Sequence, residues 1–193
     1  MKLSKIFIIS GPSGAGKTTL LKKLFLRKFI KNNFIRTVSF ITRKKRRGEK
    51  EGSDYFFVSR EKFLKLKEKK FFLEYQNILG DYYGTPKYFL TKAKKLGKNL
   101  ILCIDVKGGM YLRKILKNNK LVNIFISVPY KNVLYERLKK RAENKEIIKK
   151  RINLAKKELQ FIKKYDYLII NENLKDSLKF LEAILIAESI RRE

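Results

Sequence analysis

The chain has 193 residues and carries 48 Lys and Arg against 18 Asp and Glu, a net charge of +30, with one cysteine and no histidine. These counts exclude a disulfide framework, a zinc site built from Cys and His, and every mechanism that relies on a histidine base. The length, together with 14 Phe and 10 Tyr, is sufficient for one buried core. We therefore expect a folded single domain rather than a disordered chain.

The longest apolar runs are too short to span a bilayer, and residues 1–5 lack the pattern of a secretory signal. We therefore expect a reduced, cytoplasmic compartment and no membrane partner. An excess of lysine is typical of nucleic-acid binders, but here the lysines are scattered along nearly every segment, often in pairs such as Lys69-Lys70. This distribution favours a general compositional bias over a nucleic-acid partner, and it makes nucleotides the expected anionic ligands.

The apolar pattern alternates between strands and helices. A buried strand over 5–10 precedes a helix over 18–31, and later strands are predicted over 99–104, 121–128 and 167–170. Helical patterns are predicted over 86–96, 109–116, 131–141, 146–163 and 174–191. Strands separated by helices indicate crossover connections, so the predicted fold class is α/β, with a parallel sheet flanked by helices.

One stretch departs from this alternation. Residues 36–90 contain short predicted strands over 55–58 and 71–77, a helix over 61–69 and many polar turns. We interpret this stretch as a lobe inserted into the core. A second irregular piece, over 137–151, joins two strongly basic helical segments. The core of the single domain 1–193 then consists of residues 1–35, 91–136 and 152–193.

A glycine-rich phosphate-binding motif, G-x-x-x-x-G-K-[ST], follows the first strand and precedes the first helix. It consists of Gly11, Pro12, Ser13, Gly14, Ala15, Gly16, Lys17 and Thr18. Its backbone N–H groups suit the phosphates of a nucleoside triphosphate, the Lys17 ammonium suits the β- and γ-phosphates, and the Thr18 hydroxyl suits Mg²⁺. The alternative, a glycine-rich turn that binds nothing, leaves the combination of strand, loop, Lys and Thr unexplained.

This loop predicts a bound triphosphate but not the acceptor, because small nucleotide kinases, GTPases and helicase-like ATPases share it. The guanine-reading N-K-x-D signature of GTPases is absent from the sequence. In the lobe, the guanidinium groups of Arg43 and Arg46 can form bidentate hydrogen bonds with a monophosphate. The hydroxyl groups of Tyr55 and Tyr83 can donate hydrogen bonds to the same phosphate. Glu74 is a carboxylate in an aromatic strand, which suits the N1–H and N2–H₂ donors of guanine.

Several of these residues also have a purely structural interpretation. The two arginines of the lobe lie in a cationic run that can be solvated, and Glu74 can be a satisfied carboxylate at a strand end. Asp105 ends a buried strand, where it can serve a base edge, a Mg²⁺-bound water or the fold alone. Arg137 and Arg141 can belong to an ordinary basic helix face.

In its motifs the chain resembles the guanylate kinase family over essentially its whole length. Beyond the phosphate-binding loop, the motifs that carry the resemblance are T-R-x-x-R-x-G-E (42–49), G-x-D-Y-x-F (52–57), F-L-E (72–74), Y-Y-G-T-P (82–86), I-D-V-x-G (104–108), the lid arginines and the segment 165–171. The resemblance implies a P-loop kinase core with an inserted GMP-binding lobe (36–90) and a mobile lid (137–151).

The resemblance also implies roles for individual residues. The residues implied to bind GMP are Ser39, Arg43, Arg46, Tyr55, Glu74, Tyr83, Thr85 and Asp105, of which Glu74, Thr85 and Asp105 read the guanine. ATP is implied to contact the loop, Arg137 and Asn171, and the catalytic set is Lys17, Arg43, Arg141 and Arg151. Glu49 is expected to hold the arginines rather than the ligand. Cys103 stands where a second aspartate is common in the family, which removes a negative charge near the metal.

The predicted activity is phosphorylation of GMP, and of dGMP, by ATP through direct in-line transfer, with Mg²⁺ as cofactor, in purine nucleotide metabolism and GMP recycling. The alternatives are a non-catalytic binding module with the same fold, a P-loop protein that binds nucleic acid, and a kinase acting on a phosphorylated sugar. Lys17 and Thr18 argue against the first, and Glu74 and Thr85 against the last. The oligomeric state is open between a monomer and a homodimer.

Overall fold

The computed structural model describes residues 5–116, 121–140 and 144–191. Its strands are β1 (Ile6–Ser10), β2 (Phe34–Arg36), β3 (Phe40–Ile41), β4 (Phe56–Phe57), β5 (Phe72–Ile78), β6 (Asp81–Pro86), β7 (Asn99–Cys103), β8 (Leu121–Ser127) and β9 (Tyr167–Ile170). Its helices are α1 (Lys17–Leu24), α2 (Lys28–Asn33), α3 (Arg60–Glu68), α4 (Tyr88–Lys95), α5 (Val106–Ile115), α6 (Lys131–Lys139), α7 (Lys145–Leu159) and α8 (Leu174–Ile190), with a 3-10 turn at Ile162–Lys164.

The core sheet has its strands in the order β2-β7-β1-β8-β9, and every neighbouring pair is parallel. The predicted strands over 5–10, 99–104, 121–128 and 167–170 are confirmed to within one residue at each end. β2 has only three residues, too few to show a period in the sequence, and it is the strand of this sheet that the pattern does not predict. The predicted α/β class with a parallel sheet is confirmed.

β1 is buried along its whole length because helices cover both faces of the sheet. Phe7 and Ile9 pack in one cluster with side chains of α1 and α8, including Leu20. Ile6 and Ile8 pack in a second cluster with side chains of α4 and α5. Alternate side chains of a strand point to opposite faces, so both layers hold β1 in place. The loop that leaves its carboxyl end therefore starts from a fixed position.

α1 ends at Leu24 and α2 begins at Lys28, so the single helix predicted over 18–31 is wrong. Arg27, between them, has an extended backbone with φ −77° and ψ 128°. A continuous helix over that range would carry the chain about 21 Å in one direction. The break instead turns the chain back, so that β2 begins at Phe34 and pairs with Asn99 of β7.

The other helices are present with changes at their ends. α5 begins three residues before the predicted start at 109, because the side chain of Asp105 accepts hydrogen bonds from backbone N–H groups and caps the helix. The helix predicted over 146–163 ends earlier, at Leu159, before the 3-10 turn. Among the described residues, no helix combines the length and the apolarity that a membrane span requires.

Residues of the predicted lobe form a second sheet with the order β4-β3-β6-β5. β3 pairs with β4 in parallel, and the other neighbouring pairs are antiparallel. Phe63 of α3 stacks on Phe72 at 4.5 Å and on Tyr82 at 5.2 Å between ring centroids. A Cβ atom on Gly84 would lie 2.8 Å from Phe72 and 2.9 Å from Phe63, so this aromatic cluster requires glycine there. The second sheet thus has its own packed interior.

Candidate active site

The phosphate-binding loop connects β1 to α1, and its three glycines, Gly11, Gly14 and Gly16, all have a positive φ. At two of them a side chain would also collide with neighbouring atoms. Gly11 has φ +141°, and a Cβ atom on it would lie 2.0 Å from the carbonyl oxygen of Ile126. Gly16 has φ +94°, and a Cβ atom there would lie 2.2 Å from the side-chain nitrogen of Asn171. The glycines therefore permit both the left-handed backbone and the close packing of the loop on β8 and on the chain after β9.

The Lys17 side chain folds over the loop from which it projects. Its Nζ donates hydrogen bonds to the carbonyl oxygens of Gly11 at 2.6 Å and Pro12 at 2.9 Å. Lys17 and Thr18 both line the main cavity of the protein. The first turn of α1 thus presents an ammonium and a hydroxyl group to the space above the loop, as the motif predicts.

Three side chains from the C-terminal part of the chain support the loop. The buried Asn171 donates from its amide nitrogen to the carbonyl oxygen of Ala15 at 2.7 Å. Arg137 donates to the carbonyl oxygens of Gly14 at 3.4 Å and Asn171 at 3.1 Å. Arg151 donates to the Ser13 hydroxyl at 3.2 Å. The contacts of Arg137 and Asn171 hold the loop backbone, and the predicted contact of these two residues with ATP stays a prediction.

Arg43 and Glu49 form a bidentate ion pair beside the cavity. The Arg43 guanidinium donates to the two carboxylate oxygens of Glu49 at 2.7 and 2.5 Å, and the backbone N–H of Arg46 donates to the same carboxylate at 2.8 Å. Burial raises the pKa of Glu49, but these hydrogen bonds and the two positive charges outweigh it and hold the pKa below its usual value. The prediction that Glu49 holds the arginines is confirmed.

Two tyrosines lie next to this ion pair. The Arg43 guanidinium carbon is 5.4 Å from the ring centroid of Tyr55, and the rings of Tyr55 and Tyr83 meet edge to face at 6.5 Å. Burial raises the pKa of Tyr55 to about 12. The phenol therefore keeps its proton at neutral pH and remains a hydrogen-bond donor. The side chains predicted to trap a monophosphate are together in the structure.

Glu74 is 4% exposed and lies opposite Thr85 in the β5–β6 ladder. The Thr85 hydroxyl donates to the Glu74 carboxylate at 2.7 Å, and the hydroxyl groups of Ser39 and Thr85 are 3.2 Å apart. Burial raises the pKa of Glu74 to about 8; the hydrogen bond from Thr85 lowers it, and the charge of Asp105 raises it further. The cavity thus contains a carboxyl group that titrates close to neutral pH.

Asp105 follows β7 and caps α5. Its carboxylate accepts hydrogen bonds from the backbone N–H groups of Lys107 at 3.0 Å and Gly108 at 3.3 Å. Burial raises its pKa, while these hydrogen bonds and the charges of Lys17 and Lys107 lower it. A Cβ atom on Gly108 would lie 2.7 Å from the Glu74 carboxylate and 3.0 Å from that of Asp105. The start of α5 therefore packs between the two acids.

The two sheets meet around a cavity of about 700 Å³ at the carboxyl ends of β1 and β7. The predicted site residues that line it are Gly11, Ser13, Gly14, Gly16, Lys17, Thr18, Ser39, Arg43, Arg46, Tyr55, Glu74, Tyr83, Asp105 and Arg151. Thr85 is fully buried behind Glu74. Arg141, predicted to be a catalytic lid residue, lies outside the described residues.

The cavity is also lined by residues that were not predicted from the sequence. The charged ones among them are Lys22, Arg47, Asp54, Lys140 and Glu158. Asp54 belongs to the G-x-D-Y-x-F segment, so a signal for it was present. Glu158 follows Arg151 by seven residues, two helical turns, which would place both on one face of a predicted helix.

The donor chemistry near the loop suits Mg²⁺. The Thr18 hydroxyl and the carboxylate of Asp105 are hard oxygen donors on one cavity. The described ranges contain no cluster of three or more Asp, Glu, His or Cys that would hold a metal ion by themselves. Because Mg²⁺ commonly takes only one or two protein ligands together with water and substrate phosphates, these residues fit it.

Comparisons with known proteins agree with this geometry. A sequence model of the family described as guanylate kinase matches residues 3–188. A guanylate kinase of Aster yellows witches'-broom phytoplasma (strain AYWB) is 43% identical over 192 residues, 97% of this chain and 90% of the relative. One from Thermotoga maritima is 39% identical over 185 residues, 95% and 87% of the two chains. The crystal structure of guanylate kinase from Anaplasma phagocytophilum matches with a TM-score of 0.80 and 30% identity, over 98% and 88% of the two chains.

Proposed function

The chain belongs to the guanylate kinase family, whose members phosphorylate GMP with ATP, and we propose that it transfers the γ-phosphoryl group directly to GMP or dGMP. The observation that carries the proposal is one cavity lined both by Lys17 of the phosphate-binding loop and by Arg43 and Glu74 of the second sheet. A donor site and an acceptor site that open into the same space suit direct transfer, because no group has to travel between them.

On the donor side, the loop N–H groups, Lys17 and Arg151 bind the triphosphate. Mg²⁺, held by Thr18 together with the phosphates, would supply charge neutralisation at the β- and γ-oxygens. Arg137 and Asn171 support the loop through its carbonyl groups and contact the nucleotide from that side. As the family resemblance implies, Arg141 belongs to the catalytic set together with Lys17, Arg43 and Arg151.

On the acceptor side, Ser39, Arg43, Arg46, Tyr55 and Tyr83 hold the GMP phosphate. The ion pair with Glu49 supports this role, because it fixes the direction in which the Arg43 guanidinium can donate. Glu74, Thr85 and Asp105 read the guanine. Glu74, whose pKa is about 8 in the free protein, gives up its proton when GMP binds, because hydrogen bonds from the guanine N1–H and N2–H₂ groups favour the carboxylate. Adenine presents no matching pair of donors.

The transfer needs neither a covalent intermediate nor a strong general base. A GMP phosphate oxygen, already ionised near neutral pH, attacks the γ-phosphorus. The bond from that phosphorus to the oxygen bridging to the β-phosphate breaks, and ADP leaves with its electron pair. The protein contributes alignment and positive charge. We further propose that the lobe (36–90) and the lid (137–151) of the single domain close over the core and exclude water.

The activity places the protein in purine nucleotide metabolism and GMP recycling, in the cytoplasm, with nucleotides rather than nucleic acid as partners. The test is ADP release measured with GMP, dGMP, AMP, CMP, UMP and ribose 5-phosphate as acceptors. We expect kcat/KM for GMP to exceed that for AMP by at least about 10³-fold, because AMP has no matching pair of hydrogen-bond donors for the buried Glu74 carboxylate. Equal turnover of AMP or of ribose 5-phosphate would refute the assignment.

A further inference from the structure

Glu158 of α7 is a buried carboxylate without an assigned role. It is 8% exposed and lines the same cavity as Lys17, Asp105 and Arg151. Burying a carboxylate costs free energy, because removal from water disfavours its ionised form. Its position is therefore unfavourable for the fold and suggests a role in the site.

The geometry of α7 relates Glu158 to the loop. Arg151, Leu154 and Glu158 all line the cavity, and their spacing of three and seven residues puts them on one helix face. The Arg151 guanidinium donates to the Ser13 hydroxyl at 3.2 Å, which attaches this face to the loop. Glu158 lies two turns further along, about 10 Å away along the helix axis. The helix thus brings one cation and one anion to the phosphate-binding region.

The charges that act on Glu158 are those of the phosphate site. Burial raises the pKa of Glu158 to about 7; the charge of Lys17 opposes this effect, and that of Asp105 adds to it. Arg151 and Lys107 also favour the ionised form. The Lys17 ammonium lies on loop carbonyl groups at 2.6 and 2.9 Å, and it must turn from them to reach a phosphate. Glu158 is the acid of α7 that lines the cavity together with it.

We propose that Glu158 is a positioning residue for phosphoryl transfer, whose carboxylate orients the Lys17 ammonium and the Arg151 guanidinium toward the phosphates. The inference rests on the proposed function. A fixed negative charge near two long, rotatable cationic side chains restricts the directions in which they can point. The alignment is obtained at the expense of stability, as is common for polar groups in active sites.

The test compares E158Q with the unmodified enzyme in steady-state kinetics and thermal melting. The change keeps the shape of the side chain and removes its charge. We expect kcat to fall about 10- to 100-fold, the loss that follows from misaligned catalytic groups. KM for GMP should change less than about threefold, because the acceptor contacts are intact, and the melting temperature should be unchanged or higher.

Two further variants separate the role of charge from that of structure. E146Q alters an exposed acid of the same helix, which pairs with Lys150, and should leave kcat unchanged. E158D keeps the charge and should recover part of the kcat that E158Q loses. Three results would overturn the role of Glu158 but leave the proposed function standing. They are normal turnover by E158Q, equal losses of kcat in E158D and E158Q, and a loss of kcat accompanied by a lower melting temperature. Absence of GMP-dependent turnover in the unmodified enzyme would overturn the proposed function and this role with it.

Discussion

Lys22 of α1 and Asp54 of the segment before β4 form an ion pair in which the ammonium lies 2.7 and 2.8 Å from the two carboxylate oxygens. The Asp54 side chain is 1% exposed and that of Lys22 is 46% exposed. Asp54 also accepts a hydrogen bond from the backbone N–H of Lys50 at 2.8 Å. The pair therefore ties the helix that follows the phosphate-binding loop to the segment that carries Tyr55.

The unequal exposure of this pair predicts unequal effects of its two substitutions. K22M leaves the buried Asp54 carboxylate without its cation and should lower the free energy of unfolding by about 1–3 kcal/mol. D54N should cost less, because the half-exposed Lys22 ammonium can be hydrated and the amide oxygen still accepts from Lys50. Thermal melts of both variants, with K23M as an exposed control, measure the difference. A larger loss in D54N than in K22M would contradict the explanation.

Replacement of Lys17 by alanine should abolish turnover and leave the fold intact. The Lys17 ammonium makes its observed contacts with the carbonyl groups of Gly11 and Pro12, whereas the loop shape depends on the glycines. We expect kcat to fall at least about 10³-fold, since a preorganised positive charge at the transferring group is lost. ADP release and circular dichroism check the two halves of this prediction. Retained turnover would show that the donor site has been assigned wrongly.

Glu74→Gln should impair the use of GMP much more than that of ATP. The amide cannot accept from both guanine donors, so one of them is left unpaired in a buried site. A KM for GMP raised about 10- to 100-fold, with KM for ATP nearly unchanged, is the expected result. Steady-state titration of each substrate at saturating levels of the other measures it. Equal increases in both KM values would count against Glu74 as the residue that reads the base.

The same residue predicts a pH dependence of stability. Burial raises the pKa of Glu74 from 4.5 to about 8, so the folded protein keeps a proton that the unfolded chain releases. The contribution of Glu74 to stability is thus fully present below pH 4.5 and is lost as the pH rises through about 8. E74Q cannot titrate. The difference in melting temperature between the unmodified protein and E74Q should therefore decrease as the pH is raised from 5 to 9, roughly the span of the two pKa values. A difference that stays constant over this range would refute the prediction.

Glu49→Gln should weaken GMP binding through Arg43. The guanidinium now rests on two carboxylate oxygens at 2.7 and 2.5 Å, and the amide offers it only one acceptor. We expect KM for GMP to rise about 5- to 20-fold, the loss of one charge-assisted hydrogen bond. E61Q, an exposed acid on α3, makes the same change in net charge and should have no effect. A similar rise in E61Q would mean that overall charge, not the ion pair, is responsible.

Strands, helices and motifs that depend on local sequence patterns were predicted well, whereas contacts between residues distant in the chain were not predicted. The strands over 99–104 and 167–170 could be predicted, because a continuous apolar run between turn signals can be recognised without knowledge of its partner strand. β2 and the break between α1 and α2 depend on where the chain must return to pair with β7, and no short window contains that information. The role of Glu49 was predicted from the resemblance to the family, whose T-R-x-x-R-x-G-E motif contains both Arg43 and Glu49 within eight residues.

The sequence by itself determined the phosphate-binding loop, the parallel core and the family, because each rests on residue types at short, fixed spacing. Only the tertiary structure decided that Asn171 donates to Ala15, that Glu158 and Lys17 line one cavity and that Lys22 pairs with Asp54. It also decided the protonation of Glu74, since the pKa of a carboxyl group depends on its burial and neighbours. These relationships join residues that are far apart in the chain and meet only in the folded protein.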